Sequence, residues 1–356
     1  KMENRFQKIQ KVLDGEKEAA LFFSAAACRY LTGFDYTDGG VLVLPDTAYL
    51  LTDSRYIEAA EEAVSELQCV CCNGLYHTVE TLLRQHAVRR LHLERASSLA
   101  IFETLREKLS AEILIDGKAD AALAETRLVK SARERDLLME AQRLTELGFS
   151  HILSFLKAGV TEREAALELE FFLRRAGADG VSFDFIVVSG KNTSKPHGVP
   201  TDKPLENGDF VTMDFGALYR GYHADMTRTV AIGEVTAEQR RVYDTVLRAQ
   251  LAALDTLRAG ISGREGDAAA RDVITAAGYG DCFGHGTGHG VGVEIHEAPS
   301  LSPRAPETPL PAGCVVTVEP GIYLPGRFGV RIEDMVILTA DGCENLTKAP
   351  KELLIL

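Results

Sequence analysis

Five residues in the last 143 positions have the side-chain types and spacing of a metal-dependent hydrolytic centre. Four carry carboxylates and one carries an imidazole: Asp214, Asp225, His289, Glu319 and Glu333. Each acid lies in or beside an apolar run, where an unpaired charge is unfavourable. A divalent cation shared among the acids would balance the charge. A largely oxygen ligand set with one imidazole favours Mn²⁺, Co²⁺ or Fe²⁺ over a structural zinc ion.

The first two acids lie in one segment, residues 210–232, which has the pattern of two β-rich runs around a glycine-containing turn. A hairpin that turns about Tyr219 and Arg220 would place Asp214 directly opposite Asp225. Side chains in that relation have Cβ atoms about 5 Å apart. Carboxylates this close repel each other and take up a proton unless a cation lies between them. The segment therefore predicts a metal site on one face of a hairpin.

The other two acids are embedded in strand-like sequences, Glu319 in residues 314–321 and Glu333 in residues 328–338. For either acid alone, the alternative is a structural salt bridge. Arg331 shares the predicted strand face of Glu333 and is the candidate partner. Four such acids in one region favour a common metal site over separate salt bridges.

The fifth candidate, His289, comes from the glycine-rich segment 284–292, whose backbone can approach a bulky or charged group closely. This segment has no G-x-G-x-x-G register and therefore does not match a dinucleotide-binding loop. The downstream His296-Glu297 pair lacks a second histidine at position 300, so the zincin pattern also fails. His289 is therefore predicted as a ligand of the same metal centre.

Two metal ions that share carboxylates activate a water and stabilise the oxyanion formed when it attacks a carbonyl. Hydrolysis of an amide or ester is the reaction class that this predicts. Three further histidines are candidates for proton transfer or substrate binding: His197 in residues 195–200, His285, and His296 in residues 293–299.

Four helix starts would position these segments. Each is a capping box, in which Ser or Thr is followed three residues later by Glu or Gln. They are Ser131 with Glu134, Thr161 with Glu164, Thr236 with Gln239, and Ser262 with Glu265. The second and fourth helices are predicted to end near Gly177 and Gly278.

Upstream of these helices, the sequence predicts a separate α/β domain. Short β-rich runs such as residues 40–44 and 48–52 alternate with helical segments such as residues 54–67. A boundary is expected in the charged stretch 116–131. We therefore predict an N-terminal domain over residues 1–126 and a catalytic domain over residues 127–356.

The features of the second region repeat at a nearly constant offset. Ser131 and Thr236 are 105 residues apart, Thr161 and Ser262 101, Asp214 and Glu319 105, and Asp225 and Glu333 108. This predicts two copies of a unit of two helices followed by antiparallel strands, each donating two carboxylates. A pseudo-twofold axis would bring both acid pairs to one site, which suits two metal ions roughly 3.5 to 4 Å apart.

Composition limits the partners. A net charge of −13 argues against nucleic acid or an anionic membrane, both of which require basic patches. No apolar run has transmembrane length and no signal peptide pattern is present, so a cytoplasmic location is expected. Seven cysteines without a paired C-x-x-C cluster predict free thiols.

Several segments resemble those of the Xaa-Pro peptidases, the group of aminopeptidase P and prolidase within the methionine aminopeptidase and creatinase superfamily. The matching segments are residues 195–200, 213–217, 221–229, 284–292, 318–323 and 329–334. Residues 29–34 and 51–56 resemble the creatinase-type N-terminal domain more weakly. The resemblance implies an α+β fold, with a smaller creatinase-type α/β domain ahead of an internally duplicated pita-bread catalytic domain.

The resemblance also implies roles for individual residues. Asp214 would bind one metal ion, Asp225 and Glu333 would bridge both, and His289 and Glu319 would complete the second. Glu319 would also act as general base for the water between the ions. His197 and His296 would act in catalysis by contacting the substrate and stabilising the tetrahedral intermediate. His285 would line a proline pocket, Arg331 and Tyr323 would lie near the site as further substrate-binding residues, and Thr227 would support a metal ligand. Two divalent ions are expected, with Mn²⁺ preferred and Co²⁺, Fe²⁺ or Zn²⁺ as alternatives.

The implied activity is that of an Xaa-Pro aminopeptidase, which cleaves between an N-terminal residue and a following proline. Proline-containing peptides are the expected substrates and a homodimer the expected assembly. The main alternative is an Xaa-Pro dipeptidase, because the ligands are common to both. A methionine aminopeptidase is disfavoured because it would leave the N-terminal domain unexplained. Creatinase is disfavoured because it works without metal, whereas all five ligands are intact here. From a different class, a non-catalytic pita-bread binding module remains an alternative that would not require an intact ligand set.

Overall fold

The computed structural model describes residues 5–13 and 17–356. The chain divides into two units, the first ending at Arg127 and the second running from Leu128 to Leu356. Within the described residues, no helix combines the length and apolar character required to cross a bilayer.

The first unit is built around a mixed six-stranded sheet with strand order β4-β3-β2-β1-β5-β6. Its strands are β1 (Glu18–Phe22), β2 (Gly39–Val43), β3 (Ala48–Thr52), β4 (Gln68–Cys71), β5 (Arg90–Leu93) and β6 (Glu112–Leu114). Its helices are α1 (Gln7–Val12), α2 (Ala25–Thr32), α3 (Ile57–Ala63), α4 (Leu75–Gln85), α5 (Leu99–Lys108) and α6 (Lys118–Leu128). Strands β1 and β3 are buried throughout, as expected of apolar runs in the centre of a sheet.

Sequence patterns predicted the strands of this unit better than its helix ends. The β-rich runs 40–44 and 48–52 form β2 and β3, as predicted. The helix predicted over residues 54–67 is shorter and spans only Ile57–Ala63. A turn in which the Tyr56 amide donates to the Asp53 carbonyl precedes it, and extended backbone at Val64 ends it.

The second unit contains two pairs of helices. They are α7 (Ala132–Ile152), α8 (Glu162–Ala176), α9 (Ala237–Thr256) and α10 (Gly263–Ala276). All four predicted capping boxes are present, with the Ser or Thr side chain and the Glu or Gln side chain each accepting a backbone amide. Gly177, in the left-handed conformation, caps α8, and Gly278 follows α10 with φ of 85°.

Strands follow each helix pair. The first set is β7 (Gly180–Val181), β8 (Ile186–Ser189), β9 (Phe210–Phe215), β10 (Ala217–Tyr219), β11 (Tyr222–His223) and β12 (Met226–Ala231). The second set is β13 (Gly288–Gly290), β14 (Glu297–Leu301), β15 (Val315–Val318), β16 (Gly321–Leu324), β17 (Phe328–Arg331), β18 (Asp334–Leu338) and β19 (Cys343–Asn345).

The two halves of this unit share a common pattern of elements, although the first has six strands and the second seven. In each half the acids lie in or directly beside a long antiparallel pair, β9 with β12 and β15 with β18, and a short hairpin lies between the paired strands in the sequence. The N-cap residues Thr161 and Ser262 each form an isolated antiparallel bridge, with Pro204 and Pro309 respectively. Each half also has its own apolar core beneath its own helix pair.

The predicted register of the first hairpin was wrong by two residues. Asp214 pairs with Thr227 rather than with Asp225. The turn is centred on Arg220 and Gly221, both of which have positive φ, 47° and 78°. Two such residues are characteristic of the type I′ turn that matches the twist of paired strands, and glycine adopts the second position without steric strain.

Candidate metal centre

The two-residue shift keeps Asp214 and Asp225 on the same face of the hairpin. Asp214 pairs with Thr227, and Asp225 lies two residues before Thr227, so the two acids are diagonal neighbours. Diagonal positions are roughly 7 to 8 Å apart at Cα, within reach of a cation that both side chains contact. The prediction that both acids lie on one face therefore holds in spite of the wrong register, because strand side chains alternate between the two faces with a period of two.

The second pair of acids occupies strand ends rather than strand interiors. Glu319 follows β15 directly, and Glu333 lies between β17 and β18. The Glu319 amide donates to the Thr287 carbonyl at 2.7 Å, which joins the end of β15 to the glycine-rich segment. The Glu333 amide donates to the Thr227 carbonyl at 3.1 Å, which joins the second half to the first.

His289 meets the acids at the centre of the unit. Asp225, His289 and Glu333 offer ligand atoms that all lie within 4.8 Å of one another. His289 Nε2 is 3.3 Å from Glu319 Oε1 and 3.5 Å from Asp225 Oδ2. The Nδ1–H group can donate to the Gly290 carbonyl at 3.1 Å, which leaves Nε2 with a free lone pair toward the acids.

Arg331 forms a salt bridge, but not with the partner considered from the sequence. Its Nη2 donates to Asp214 Oδ2 at 2.6 Å, whereas Glu333 Oε2 accepts from the Thr227 hydroxyl at 2.6 Å. The prediction that Arg331 and Glu333 share a strand face was wrong, because β17 ends at Arg331 and Glu333 lies beyond it. Arg331 Nε also donates to the Thr227 hydroxyl at 3.0 Å, so Thr227 connects the arginine to Glu333.

Hydrogen bonds with Tyr323 and Thr317 hold two of the histidines. The Tyr323 hydroxyl accepts from Arg331 Nη1 at 2.8 Å and lies 2.8 Å from His285 Nε2. Thr317, which sequence reasoning missed, accepts from the His289 amide at 3.1 Å, and its hydroxyl is 3.3 Å from Glu319 Oε1. Thr317 faces the site because it lies two residues before Glu319, and this spacing was the signal that could have identified it.

The acids of the cluster outnumber the positive charges beside them, because Arg331 pairs with Asp214 and the remaining acids repel one another. Burial raises the pKa of Asp225 well above its ordinary value, and the charges of Glu333 and Asp214 raise it further. Burial also raises the pKa of Glu333 strongly and that of Glu319 to about 8. Burial lowers the pKa of His289 to about 4, so its imidazole is neutral at pH 7 and can serve as a ligand.

Two buried oxygen atoms identify where a cation fits. Asp214 Oδ1 and Glu333 Oε1 are buried and accept no hydrogen bond from any residue that the structure describes. Buried acceptors without a partner are rare in folded proteins and usually indicate an ion or water. Because these oxygens belong to an acid cluster with a neutral imidazole, the residues present fit divalent metal ions.

The cluster opens into a cavity of about 730 Å³. Its polar lining consists mainly of the five candidate ligands together with His197, His285, His296 and Arg331. Tyr323 is not part of the lining and touches the site through its hydroxyl. The rings of His289 and His296 have centroids 4.2 Å apart, whereas His197 approaches from the separate segment between β8 and β9.

An apolar wall faces these polar groups, and sequence reasoning did not identify it. It comprises Phe183, Phe185, Ile186, Val199, Pro200 and Ile295. In the sequence these residues resemble ordinary core and loop positions. They line one cavity only because the fold brings residues 183–200 close to Ile295, which lies about a hundred positions later in the chain.

Comparisons with known proteins agree with this geometry. Residues 136–340 match the model of metallopeptidase family M24, and residues 5–129 match that of the creatinase/prolidase N-terminal domain. An Xaa-Pro dipeptidase from Pyrococcus furiosus is 35% identical over 355 residues, covering 99% of this chain and 100% of the relative.

Two solved structures are similar over nearly their full length. An Xaa-Pro dipeptidase from Bacillus anthracis is 42% identical with a TM-score of 0.94, covering 99% of each chain. An X-Pro aminopeptidase from Thermotoga maritima is 35% identical with a TM-score of 0.89, covering 98% of this chain and 100% of that one. The prediction of a creatinase-type domain followed by a duplicated pita-bread domain is thereby confirmed.

Proposed function

The chain belongs to metallopeptidase family M24, whose members are metal-dependent peptidases, and from this membership we propose that it hydrolyses the bond between an N-terminal residue and a following proline. The observation that carries the proposal is the gathering of four buried or half-buried acids and a neutral histidine in one cavity with an apolar wall. The relatives named Xaa-Pro dipeptidase and X-Pro aminopeptidase support the choice of substrate. An Xaa-Pro bond has no N–H, so its recognition depends on a shaped pocket for the ring.

Asp214, Asp225, His289, Glu319 and Glu333 would hold two divalent ions, with Mn²⁺ the preferred metal. Bound there, the ions would lower the pKa of a water and polarise the peptide carbonyl. The clustering of these side chains and the two unpartnered oxygens support this assignment. Metal analysis of the purified protein, followed by reconstitution with Mn²⁺, Co²⁺, Fe²⁺ or Zn²⁺, tests both the number and the identity of the ions.

The protein's own groups have separate tasks in this proposal. Glu319 accepts the proton of the attacking water, a task supported by its place in the lining of the cavity, where its Oε1 lies 3.3 Å from His289 Nε2 and 3.3 Å from the Thr317 hydroxyl. His296 and His197 contact the substrate and the developing oxyanion from two sides of the cavity. His285 lines the proline pocket. Its imidazole is held by the Tyr323 hydroxyl at 2.8 Å, and this hydroxyl accepts in turn from Arg331.

We propose an aminopeptidase in preference to a dipeptidase. A similar solved structure named X-Pro aminopeptidase supports this choice, and the cavity of about 730 Å³ lies within the roughly 300 to 1,000 Å³ range of small-molecule sites. The dipeptidase remains the second candidate because the relative from Pyrococcus furiosus and the solved structure from Bacillus anthracis both carry that name.

Incubation of the metal-loaded protein with Ala-Pro, Ala-Pro-Ala and the control Ala-Ala-Ala distinguishes the candidates. We expect alanine to be released from the first two peptides and not from the third. Release from Ala-Pro alone would contradict the aminopeptidase and favour the dipeptidase. Release from none of the proline peptides, at full metal occupancy, would contradict the proposed function.

Three further assignments complete the proposal. The catalytic domain spans residues 127–356 and follows a creatinase-type domain over residues 1–126. The protein is a homodimer located in the cytoplasm. Its partners are proline-containing peptides. The family matches, at residues 136–340 and 5–129, support the two domains. Limited proteolysis, analytical ultracentrifugation and cell fractionation test the boundary, the dimer and the location, respectively.

A further inference from the structure

The segment between Ser189 and Thr201 brings His197 to the cavity but contains little regular structure. After a 3₁₀ turn over Gly190–Ser194, the chain runs through a turn in which the Gly198 amide donates to the Lys195 carbonyl. His197 itself is exposed. Two contacts hold the interior of the segment, since Arg331 Nη1 donates to the Pro196 carbonyl at 3.3 Å and the Gly329 amide donates to the Thr193 hydroxyl at 2.8 Å. The position of His197 depends on these contacts and on how the two ends of the segment are held.

Both ends are held by the same side chain, that of Glu162. Glu162 Oε1 accepts from the Ser189 amide at 2.7 Å, the Ser189 hydroxyl at 2.9 Å and Asn192 Nδ2 at 3.0 Å. Its Oε2 accepts from the Thr201 amide at 2.9 Å and the Thr201 hydroxyl at 2.6 Å. One carboxylate thus closes a loop that contains His197.

Glu162 is fully buried, and a carboxylate is the side chain that satisfies its surroundings. Both oxygens face donors only, so an amide in the same place would turn an NH₂ group toward one set of donors. Burial acts to raise the pKa of Glu162, but the hydrogen bonds from Thr201, Asn192 and Ser189 outweigh it and lower that pKa. The group is therefore ionised at neutral pH.

Helix capping does not explain Glu162. It is the first residue of α8, and the α8 cap is already complete, because the Thr161 hydroxyl accepts from the Glu164 amide and the Glu164 carboxylate accepts from Thr161. Glu162 directs its carboxylate away from this box toward residues 189–201. The N-terminus of α8 stabilises the negative charge of Glu162 through the helix dipole, and residues 189–201 supply its hydrogen-bond donors.

We propose that Glu162 is a positioning residue that fixes the segment 189–201 and thereby places His197 at the cavity. This inference rests on the proposed function, in which His197 contacts the substrate. The hydrogen bonds act through His197 rather than on the reacting atoms, so the residue is not itself catalytic.

The primary test is Glu162→Gln, with Glu164→Gln as the matched control. Both substitutions remove one negative charge from the first turn of α8, but only the first alters the contacts to residues 189–201. We expect kcat for Ala-Pro to fall roughly 10- to 100-fold in E162Q, because small displacements of a positioned group have effects of this size. Metal content should stay unchanged, and E164Q should remain within about twofold of the wild type. Wild-type kcat in folded E162Q would overturn the proposal.

A double-mutant cycle with His197→Ala separates positioning from a general structural effect. If Glu162 acts through His197, adding E162Q to H197A should reduce kcat by less than about twofold further. Full additivity of the two losses would overturn the proposal, because it would mean that Glu162 acts independently of His197.

Asn192→Ala covers the case in which E162Q fails to fold. It removes a single hydrogen bond, at 3.0 Å, from the same carboxylate and should give a smaller loss of kcat with the same dependence on His197. Additive behaviour of N192A and H197A would contradict the proposal.

Hydrogen exchange provides a readout that does not depend on activity. Amides of residues 190–200 should exchange faster in E162Q, or in N192A if E162Q does not fold, than in the wild type and E164Q. If the wild type hydrolyses no Xaa-Pro peptide, the proposed function fails, but this selective exchange would still support the fastening of the segment. Unchanged exchange in a folded variant would overturn the positioning role itself.

Discussion

The two carboxylate oxygens of Asp214 have different surroundings. One oxygen accepts from Arg331 at 2.6 Å, and the other is buried without a hydrogen-bond partner among the described residues. Glu333 follows the same pattern, with one oxygen fixed by Thr227 at 2.6 Å and one left unpartnered. Each acid is thus oriented by a protein donor while one oxygen remains available for a cation.

Asp225→Ala should lower metal content and activity together. Asp225 lies beside both His289 and Glu333, so its loss removes an acid at the centre of the proposed ligand set. Metal content by elemental analysis and turnover of Ala-Pro are the measurements, with Asp244→Ala, an exposed acid on α9, as the control. Full metal occupancy with normal turnover would rule out the assignment of Asp225 as a ligand.

His296→Ala should lower turnover by about 10²- to 10³-fold while both metals remain bound, as expected when a donor to an oxyanion is lost. The nearness of the His296 and His289 rings, at 4.2 Å, supports a place beside the reacting carbonyl. The kinetics of Ala-Pro hydrolysis provide the test, with the exposed His77→Ala as control. Turnover equal to the wild type would leave His296 with a structural role only.

At the scale of elements, strands and the segments between them carry the candidate groups, and a buried acid on the second helix of each half holds one of these segments. In the first half Glu162 holds the segment that bears His197. In the second half Asp267 on α10 accepts from the Thr287 amide and hydroxyl, each at 2.9 Å, and pairs with Arg271. The Thr287 carbonyl in turn accepts from the Glu319 amide, so this helix contact extends to a candidate ligand.

Asp267→Asn should destabilise the protein by roughly 2 to 4 kcal/mol, because it removes the buried negative charge that pairs with Arg271 and turns an NH₂ group toward one of the donors that Asp267 now accepts from. Arg271 also donates to the carbonyls of Phe283 and His285, so activity should fall with stability. Thermal or urea unfolding measures the first effect and Ala-Pro turnover the second. Asp272→Asn, an exposed neighbour on the same helix, is the control, and equal stability of the two variants would refute the role of Asp267.

At the scale of the whole molecule, the catalytic unit is a duplicated structure whose halves meet at a cluster of like charges. Glu333 bonds to Thr227, and Arg331 bonds to Asp214 across 117 residues of sequence. The acids raise one another's pKa, so without cations this centre opposes folding at the pH where the acids would ionise. Bound metal ions would reverse that effect by linking binding to folding.

The metal-free protein should lose stability as the pH rises from 7 to 8. Burial raises the pKa of Glu319 to about 8 and that of Asp225 and Glu333 well above their ordinary values, so the folded state binds more protons than the unfolded state here. His285 and His289, whose pKa values burial lowers to about 4, act in the opposite direction mainly below their ordinary value of 6.5.

Melting temperatures of chelator-treated protein across pH 7 to 8 test this prediction. Addition of Mn²⁺ should raise the melting temperature and flatten its dependence on pH, because metal ions replace the protons. Stability of the metal-free protein that increases over this range would show that the acids are not coupled in the way that the structure indicates.

The sequence by itself determined the features that depend on near neighbours. The four helix starts follow from side chains three residues apart, and Asp214 and Asp225 share a face because strand side chains alternate with a period of two. The type and spacing of the acids, together with the repeat of about 105 residues, also indicated a shared metal site and a duplicated fold.

Only the tertiary structure decided which distant groups meet. It moved the hairpin register by two residues, because the turn favours Arg220 and Gly221 with positive φ. It paired Arg331 with Asp214 rather than Glu333, and it placed Glu162 between the two ends of the His197 segment. The contacts of Glu162 and Arg331 join residues 27 to 117 positions apart, and their distances depend on how strands and helices pack, which no local pattern in the chain encodes.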